Sequence, residues 1–319
     1  MRFPLTLLAC LIAAYALSAA LTITLNPETA FWAEAVAQRE AAAAAIRRES
    51  PDETITFFTG GSSCAFSIAP KIIEETTGRP AINLGLPASA GARYILHQAL
   101  RLAEPGDLIV VCLEPDLLTF PAQESSPSKT GFALEAARGN LTASAGGSTF
   151  GEIPGISDYL TLPRPGANYL ITLAGRGLTG KGYRYKPEDI GYRGILRTDT
   201  RDPDLRGGGD SSVTALHPEG RMLLESFAAA AKRKGVRLAY SMPWYFTDTA
   251  SLAHNRANKQ KVLADIATIM PVIEDGFSGA MDGIENFADS GLHLSDKGTA
   301  ARSQALAISL KKISEEKKE

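Results

Sequence analysis

The sequence predicts an α/β fold with a doubly wound, three-layer parallel sheet. Three observations predict it: short apolar runs alternate with helix-like segments, glycines follow several of those segments, and the run over 108–114 is almost continuously apolar. A continuous apolar run indicates a strand buried on both faces, as in the centre of a parallel sheet. Alternating strands and helices imply parallel neighbours joined by right-handed crossovers.

The first predicted strand is Thr54–Thr59, where β-branched and aromatic side chains favour extended backbone, and Gly60 and Gly61 end it. A helix-like segment over 66–77 stops at Gly78, which suits the left-handed residue that closes many helices. Similar patterns predict the other elements, which are strands over 81–84, 108–114 and 236–241 and helices over 91–103, 218–234 and 251–269.

The first 25 residues are expected to form a membrane anchor. Arg2 precedes a run over 3–25 that has no charged side chain, and about 20 apolar residues suffice for a helix to cross a bilayer. A cleaved signal peptide, with its cleavage site at Ala16-Leu17-Ser18, stays open as the alternative. Positive charge before the run places the rest of the chain outside the cytoplasm. The expected location is therefore membrane-anchored on the periplasmic or cell-surface side, or secreted if the segment is cleaved.

Two further parts are expected after this anchor. Residues 26–52 have an Ala-rich composition with Glu and Arg that favours a helical stalk, and Pro51 ends it. Residues 53–319 form the α/β domain, which a Gly- and Pro-rich insertion interrupts over about 116–210. A structureless loop of that length is rare inside a compact domain, so the insertion is expected to carry structure of its own over one edge of the sheet.

Arginine and tyrosine side chains recur in the insertion, and the faces of aromatic rings stack on sugars. These side chains are candidates for a glycan-binding wall, with a solvated loop as the equal alternative. They are Arg164, Tyr169, Arg176, Tyr183, Arg184, Tyr185, Tyr192 and Arg193.

The composition excludes several classes of function. Lys and Arg number 33 against 35 Asp and Glu, which gives a net charge of -2 and none of the basic excess of a nucleic-acid-binding protein. The 4 His and 3 Cys residues show none of the CxxC, HxxxH or HExxH spacings that are typical of metal sites. We therefore expect no nucleic-acid partner, no metal and no cofactor.

Cys64 and Cys112 lie at the ends of predicted strands that are candidates for neighbours in the sheet. Thiols outside the cytoplasm are open to oxidation, so a disulfide between them is one outcome. Two buried free thiols are the default expectation.

Ser62 is the candidate nucleophile. It follows the first strand in Phe-Phe-Thr-Gly-Gly-Ser-Ser over 57–63, where small neighbours let a substrate carbonyl and backbone amides approach. The helix start expected at Ser62 also favours a developing oxyanion. The alternative is an ordinary strand-to-helix turn in which Ser62 or Ser63 only caps the helix.

His293 is the candidate general base. It stands in Asp289-Ser-Gly-Leu-His293, ahead of a final helix. A catalytic histidine needs a carboxylate that fixes its tautomer and stabilises the imidazolium, and Asp289 is close to it in sequence. The alternative is a surface histidine before a helix capped by Ser295. The other three histidines are expected to be structural: His97, His217 and His254.

These motifs resemble those of the SGNH (GDSL-type) hydrolases. Gly60-Gly61-Ser62 is similar to the first block of that family, Gly-Asp-Ser, which carries the nucleophile. Asn83-Leu84-Gly85 is similar to the second block, whose glycine amide helps to form the oxyanion hole. Asp289 and His293 resemble the last block.

The resemblance extends to the third block at residues 105–116, in the form found in membrane-anchored members concerned with acylation of cell-envelope polysaccharides or exopolysaccharides. It covers about residues 53–121 and 216–313.

The chain departs from the family's pattern at three places. Gly61 replaces the aspartate of the first block, and the last block has one residue more between Asp289 and His293. The third block has Leu-Glu-Pro-Asp over 113–116 and lacks the asparagine of the oxyanion hole, a loss that costs ~10²–10³ in rate. Asn83 is the candidate substitute. Glu114 is a candidate substrate-binding residue or, equally, a structural carboxylate bonded to backbone amides.

The resemblance implies an SGNH-hydrolase-like domain with flavodoxin-like strand order. It also implies an extracytoplasmic serine esterase or O-acyltransferase acting on acyl groups of a cell-envelope or exopolysaccharide glycan. Ser62 would attack the ester carbonyl, His293 would take its proton, and Asp289 would orient His293. The amides of Ser62 and Gly85, with Asn83, would hold the oxyanion. The implied partners are an acylated glycan or other ester substrate, the membrane, and a membrane protein that donates acyl groups.

Two competing hypotheses follow from the same residues. The first is a catalytically inactive SGNH-like protein that binds a glycan or assists an assembly, which the replaced aspartate and the missing asparagine favour. The second is a membrane-tethered scaffold without a site, in which Ser62 and His293 would lie far apart.

Overall fold

The computed structural model describes residues 2–25, 27–119, 184–198, 200–208 and 211–315. The helices are α1 (Arg2–Leu25), α2 (Pro27–Glu49), α3 (Ser62–Ala65), α4 (Pro70–Thr77), α5 (Ala92–Leu102), α6 (Asp116–Thr119), α7 (Pro218–Lys234), α8 (Leu252–Ala267) and α9 (Asp296–Glu315). The strands are β1 (Thr56–Gly60), β2 (Ala81–Asn83), β3 (Leu108–Cys112), β4 (Arg237–Tyr240), β5 (Tyr245–Phe246), β6 (Ala280–Met281), β7 (Phe287–Ser290) and β8 (His293–Leu294).

The centre of the molecule is a parallel sheet of 4 strands in the order β2-β1-β3-β4. Strand β1 pairs with β2 on one side and with β3 on the other, so that Thr56 lies opposite both Ala81 and Leu108. The predicted α/β class with a parallel sheet is therefore confirmed. Strand β1 lies inside the sheet, and its carboxyl end delivers the chain to Ser62.

Side chains alternate between the two faces of the sheet, and helices cover both faces. Phe57, Ile109 and Val111 point into a cluster that includes buried side chains of α5, α7 and α8. Phe58 and Val110, the next residues in register, point into a second cluster with α4 and α9. Burial of both faces explains why these strands carry apolar residues at successive positions rather than at every second one.

Helix α2 differs from the expected stalk over 26–52, because it packs against the α/β domain. Its apolar side chains recur at a spacing of three or four residues and lie in the larger core cluster: Phe31, Trp32, Ala35, Val36, Ala43 and Ile46. Arg39 lies on the same face with 1% of its surface exposed, and donates to the carbonyl oxygens of Gly85 (2.6 Å) and Gly194 (2.8 Å). The folded domain therefore includes α2 rather than beginning at residue 53.

Among the residues that the structure describes, no helix combines the length and apolar character needed to cross a membrane. Residues 120–183 of the predicted insertion lie outside the described ranges, and so do four side chains of the expected glycan-binding wall: Arg164, Tyr169, Arg176 and Tyr183. The chain is described again from Arg184, and Leu196 donates its backbone N–H to Ala65 O (2.9 Å). The end of the insertion is thereby fixed to α3, the helix that begins with Ser62.

Candidate active site

Ser62 lies at the carboxyl end of β1, where open α/β sheets place their ligands. Gly60 ends the strand beside β3, and a Cβ atom there would stand 2.1 Å from Cys112 O, so only glycine fits. Gly61 precedes α3 and Ser62 is its first residue. The amide of a first helical residue has no acceptor inside its own helix, which leaves the Ser62 N–H for a ligand.

His293 meets Ser62 as the sequence predicts. Its Nε2 atom lies 3.0 Å from Ser62 Oγ, and its Nδ1 atom lies 2.8 Å from Asp289 Oδ1. With the ring proton on Nδ1 donated to Asp289, Nε2 accepts the Ser62 hydroxyl, which is the arrangement of a nucleophile, a base and an orienting carboxylate. The scaffold hypothesis is wrong in expecting Ser62 and His293 far apart.

The extra residue between Asp289 and His293 is absorbed by the hairpin that carries them. Strands β7 and β8 pair antiparallel with Phe287 opposite Leu294 and Ser290 opposite His293, and the register shifts between these two pairs. Ser290 Oγ accepts the backbone N–H groups of Leu292 (3.2 Å) and His293 (3.1 Å), which holds the turn closed. A bulge of this kind re-aims side chains, so the longer spacing still directs both groups to Ser62.

The Asp289 carboxylate has partners on both oxygens. Its side chain is 1% exposed; Oδ2 accepts from the Tyr185 hydroxyl (2.8 Å) and lies 3.0 Å from Arg184 Nη1. Burial by itself raises the pKa of Asp289, but the His293 and Tyr185 hydrogen bonds and the Arg184 charge outweigh it, and the pKa is lowered. Asp289 is therefore held in its charged form, as a group that stabilises an imidazolium must be.

Phe66 shapes the other side of the histidine. Its ring stacks on the His293 ring with centroids 4.3 Å apart and an angle of 27° between the planes. The side chain of His293 is 14% exposed, so one edge of the imidazole is open while its face is covered. Stacking restricts rotation of the ring and keeps Nε2 aimed at Ser62.

Glu114 makes the contacts of the structural alternative, since its carboxylate bonds to backbone amides on both sides of Ser62. It is 3% exposed, and its carboxylate accepts the backbone N–H groups of Gly61 (3.0 Å) and Ser63 (3.1 Å). Burial raises the pKa of Glu114, while these hydrogen bonds oppose the rise. The carboxylate fixes the amides on both sides of Ser62.

The oxyanion roles expected for Gly85 and Asn83 are not supported. The Gly85 N–H donates to Asn83 Oδ1 (2.9 Å), and Asn83 Nδ2 donates to the carbonyl oxygens of Cys64 (2.9 Å) and Ile68 (2.9 Å). These groups are used to fasten the loop after β2 to α3. A Cβ atom at Gly85 would stand 2.3 Å from Ala65 N, so the glycine is needed for close packing.

Sequence reasoning missed the role of Arg184 and Tyr185, which it placed in a glycan-binding wall. Both side chains instead contact Asp289. The other described pair of that set, Tyr192 and Arg193, bonds to Glu74 on α4. No periodicity or spacing in the sequence separates the first pair from the second, because only the return path of the chain decides which carboxylate each one meets.

Cys64 and Cys112 are free and buried, which agrees with the default expectation of two thiols. Among the described residues, no group of three His, Cys, Asp or Glu side chains lies close enough to hold a metal ion.

No family model matches the chain, and no curated protein matches it either. What the fold and the site define is a class: an α/β protein with a parallel sheet whose first strand ends at a serine that is hydrogen-bonded to a histidine and, through it, to an aspartate.

Proposed function

We propose that the protein is a serine esterase or O-acyltransferase of the SGNH-hydrolase type. The observation that carries this proposal is the continuous hydrogen-bonded chain from Ser62 Oγ through the His293 ring to Asp289 Oδ1. A satisfied structural histidine needs one good partner, whereas here each ring nitrogen faces a group with a distinct role in acyl transfer.

The SGNH assignment is supported by topology as well as by motifs. The strand order β2-β1-β3-β4 agrees with the first four strands of the flavodoxin-like order. The nucleophile follows the first strand, and the histidine precedes the last described helix, α9, as in the resemblance on which the proposal rests.

The proposed reaction passes through an acyl-enzyme. Ser62 Oγ bonds to the ester carbonyl carbon while His293 Nε2 takes the serine proton, and the carbonyl oxygen becomes the oxyanion. The tetrahedral intermediate collapses, the alcohol leaves with the proton from His293, and an acyl group remains on Ser62. Water or a sugar hydroxyl then adds to the carbonyl carbon of this ester and gives its proton to His293. The second tetrahedral intermediate collapses with cleavage of the bond to Ser62 Oγ, which takes the proton back from His293 as the acid or the new ester leaves. The same acyl-enzyme therefore serves hydrolysis and transfer.

The oxyanion hole is the part of the proposed site that is short of hydrogen-bond donors. The Ser62 amide stands between two amides that Glu114 fixes, so its direction is set before substrate binds. Preorganised donors are what an oxyanion hole requires. With Gly85 and Asn83 used elsewhere, we expect slow turnover of simple esters, because loss of one donor costs ~10²–10³ in rate.

The substrate and location belong to the same proposal. We infer an acylated glycan of the cell envelope or an exopolysaccharide outside the cytoplasm, with the N-terminal segment as an anchor and a membrane protein as acyl donor. Exposed apolar side chains along α1, such as Phe3 and Leu11, support a segment that meets lipid or a partner.

A second candidate is a catalytically inactive SGNH-like protein that binds a glycan. The observation that favours it is the commitment of the Gly85 N–H and the Asn83 amide to the loop, which leaves the site short of oxyanion donors.

A fluorophosphonate probe tests the two candidates against each other. The wild-type protein and Ser63→Ala, which changes the adjacent serine, should both be labelled, and Ser62→Ala should not. Hydrolysis of p-nitrophenyl acetate should fall by at least ~10³-fold in Ser62→Ala. Absence of labelling in folded wild-type protein would leave the binding protein as the better description.

Addition of a soluble oligosaccharide to the p-nitrophenyl acetate reaction separates transfer from hydrolysis. Acetylated oligosaccharide, detected by mass spectrometry and absent with Ser62→Ala, identifies a transferase. Release of acetate alone identifies an esterase.

A further inference from the structure

The second oxygen of Asp289 is held by two adjacent residues from outside the catalytic motifs. Tyr185 donates its hydroxyl to Asp289 Oδ2 at 2.8 Å, and Arg184 Nη1 lies 3.0 Å from the same oxygen. Both residues stand where the described chain resumes after residue 183. The carboxylate that orients His293 is thus shared between the last block and the end of the insertion.

We propose that Arg184 and Tyr185 are positioning residues for the Asp289–His293 pair, so that the return segment of the insertion completes the active site. The proposal rests on the proposed function, since the pair would act on catalysis through Asp289. Neither residue is assigned a covalent or proton-transfer step.

The bonds to Oδ2 restrict rotation of the Asp289 carboxylate. Asp289 Oδ1 alone, bonded to His293 Nδ1, leaves the carboxylate plane free to turn about its last torsion, which is broad for aspartate. A bond to Oδ2 fixes that plane, and through it the direction of the imidazole. The Tyr185 hydroxyl is itself fixed, because its ring packs on Phe66 (centroids 4.9 Å apart) and on Phe31 of α2 (6.0 Å).

Arg184 also brings a positive charge to Asp289. Asp289, Tyr185 and Arg184 are the titratable or charged groups that face the imidazole from β7 and from the return segment, and Arg184 does so through Asp289. The Arg184 cation offsets part of the Asp289 charge, although its own side chain is 48% exposed and therefore screened by solvent. Without Arg184 the full charge of Asp289 faces the imidazole.

The same segment supplies a matched control. Tyr192 donates its hydroxyl to Glu74 Oε2 at 2.9 Å, and Arg193 pairs with Glu74 Oε1. These residues repeat the tyrosine and arginine contacts on a carboxylate of α4 that is not part of the candidate site. Tyr192→Phe and Arg193→Gln therefore remove equivalent bonds from the same piece of chain.

The test is the pH dependence of kcat/KM for p-nitrophenyl acetate in the full-length protein. Arg184→Gln should move the acid limb to higher pH by about 0.2–0.7 units, and Arg184→Lys should restore it. Tyr185→Phe should lower kcat about tenfold with KM little changed, because a hydrogen bond to a charged group is lost. Tyr192→Phe and Arg193→Gln should leave both the limb and kcat unchanged.

A second measurement tests the effect of Arg184 on the Asp289–His293 pair without substrate turnover. The chain has 4 histidines, so the imidazole resonance of His293 can be assigned by its loss in His293→Gln and titrated by NMR. Arg184→Gln should move its midpoint in the same direction as the acid limb. If the wild-type protein is neither labelled nor active, and Arg184→Gln still shifts the midpoint of the His293 resonance, the proposed function is wrong and the effect of Arg184 on the Asp289–His293 pair stands. Identical titrations and profiles for Arg184→Gln and Arg193→Gln would overturn the positioning role and leave the proposed function standing.

Discussion

At position 61 a glycine leaves space for a carboxylate that comes from another part of the chain. The family that the chain resembles has an aspartate there, whereas here a Cβ atom at Gly61 would stand 2.2 Å from both carboxylate oxygens of Glu114. The carboxylate next to the nucleophile comes from the loop after β3 and bonds the amides of Gly61 and Ser63. The observed position of the Glu114 carboxylate therefore requires glycine at position 61.

Because a side chain at position 61 and the Glu114 carboxylate would occupy the same space, the effects of substitutions at the two positions on the free energy of unfolding should not be additive. Gly61→Ala alone should lower the free energy of unfolding by about 1–3 kcal/mol, because the new Cβ overlaps a fixed carboxylate. In the Glu114→Ala background the same change should cost less by roughly 1 kcal/mol or more, since the space is vacant. Urea unfolding of the four proteins measures the difference.

Gly208→Ala is the control for that cycle. Among the described residues, a Cβ atom there meets only Phe246 O, at 3.6 Å, so its effect should be the same with and without Glu114. Equal costs of Gly61→Ala in the two backgrounds would show that the carboxylate does not occupy this space in solution.

Helix α8 carries a buried lysine for which the described part of the chain shows no ion pair. Lys259 is 7% exposed, and its Nζ atom lies 3.8 Å from the centroid of the Tyr245 ring. Burial lowers the pKa of Lys259 from 10.5 to about 8, against a smaller opposing effect of Asp116. The folded protein therefore holds this proton less tightly than the unfolded chain does.

The sign of the pH dependence follows directly. Between about pH 8 and 10.5 the unfolded chain binds more protons at this position, so the contribution of Lys259 to stability rises with pH through that window. Below about pH 8 the lysine is charged in the folded protein, and its burial lowers the free energy of unfolding by up to about 3 kcal/mol. Lys259→Met should thus stabilise the protein at pH 7, and the gain should shrink towards pH 10.5.

Urea unfolding at pH 7 and pH 10 checks this expectation. Lys261→Met, on the exposed side of the same helix, should change stability by no more than about 0.5 kcal/mol at either pH. A gain from Lys259→Met that is the same at both pH values would contradict a depressed pKa as its cause.

The strands of the central sheet could be predicted from the sequence to within a few residues. The run predicted over 81–84 forms a strand over Ala81–Asn83, and the run over 108–114 forms one over Leu108–Cys112. These predictions succeed because apolar runs bounded by glycine or proline have few alternatives when both faces are buried. The two-residue strands β5, β6 and β8 have no such pattern and depend on tertiary pairing.

The three side chains of the candidate site could be predicted from the sequence, whereas the groups that bond to them could not. Ser62, Asp289 and His293 stand in motifs whose spacing carries chemical meaning. The Gly85 N–H donates to Asn83 Oδ1, which could not be predicted because a motif shows that an amide exists and not whether a neighbouring side chain accepts its hydrogen bond. Tyr185 was missed for the converse reason, since nothing local to it points to a carboxylate more than a hundred residues away.

At the scale of the whole molecule, α2 joins parts that lie far apart in sequence. Trp32 is 1% exposed within the larger core cluster, and Arg39 connects the loop after β2 with Gly194. The helix was expected to be a stalk because its Ala-rich composition hides a stripe of larger apolar residues at helical spacing. That stripe was the signal that could have revealed its packing.

Trp32→Ala tests this packing. Loss of a buried tryptophan should lower the free energy of unfolding by about 3–5 kcal/mol, whereas a free stalk would tolerate the change. Gln38→Ala, on the exposed side of the same helix, should have little effect. Thermal unfolding followed by circular dichroism compares the two variants. Equal melting temperatures would indicate that α2 is a free stalk.

The return of the chain at Arg184 has a consequence for how such a protein can diversify. The described chain stops at Thr119, the last residue of α6, and resumes at Arg184 beside Asp289. A different segment grafted between these points would leave the strands that carry Ser62, Asp289 and His293 as they are. The graft would nevertheless have to end in a hydroxyl and a cation that reach Asp289. A graft that lacked these two side chains would leave Asp289 Oδ2 without both partners, and under the proposed function it would lower activity.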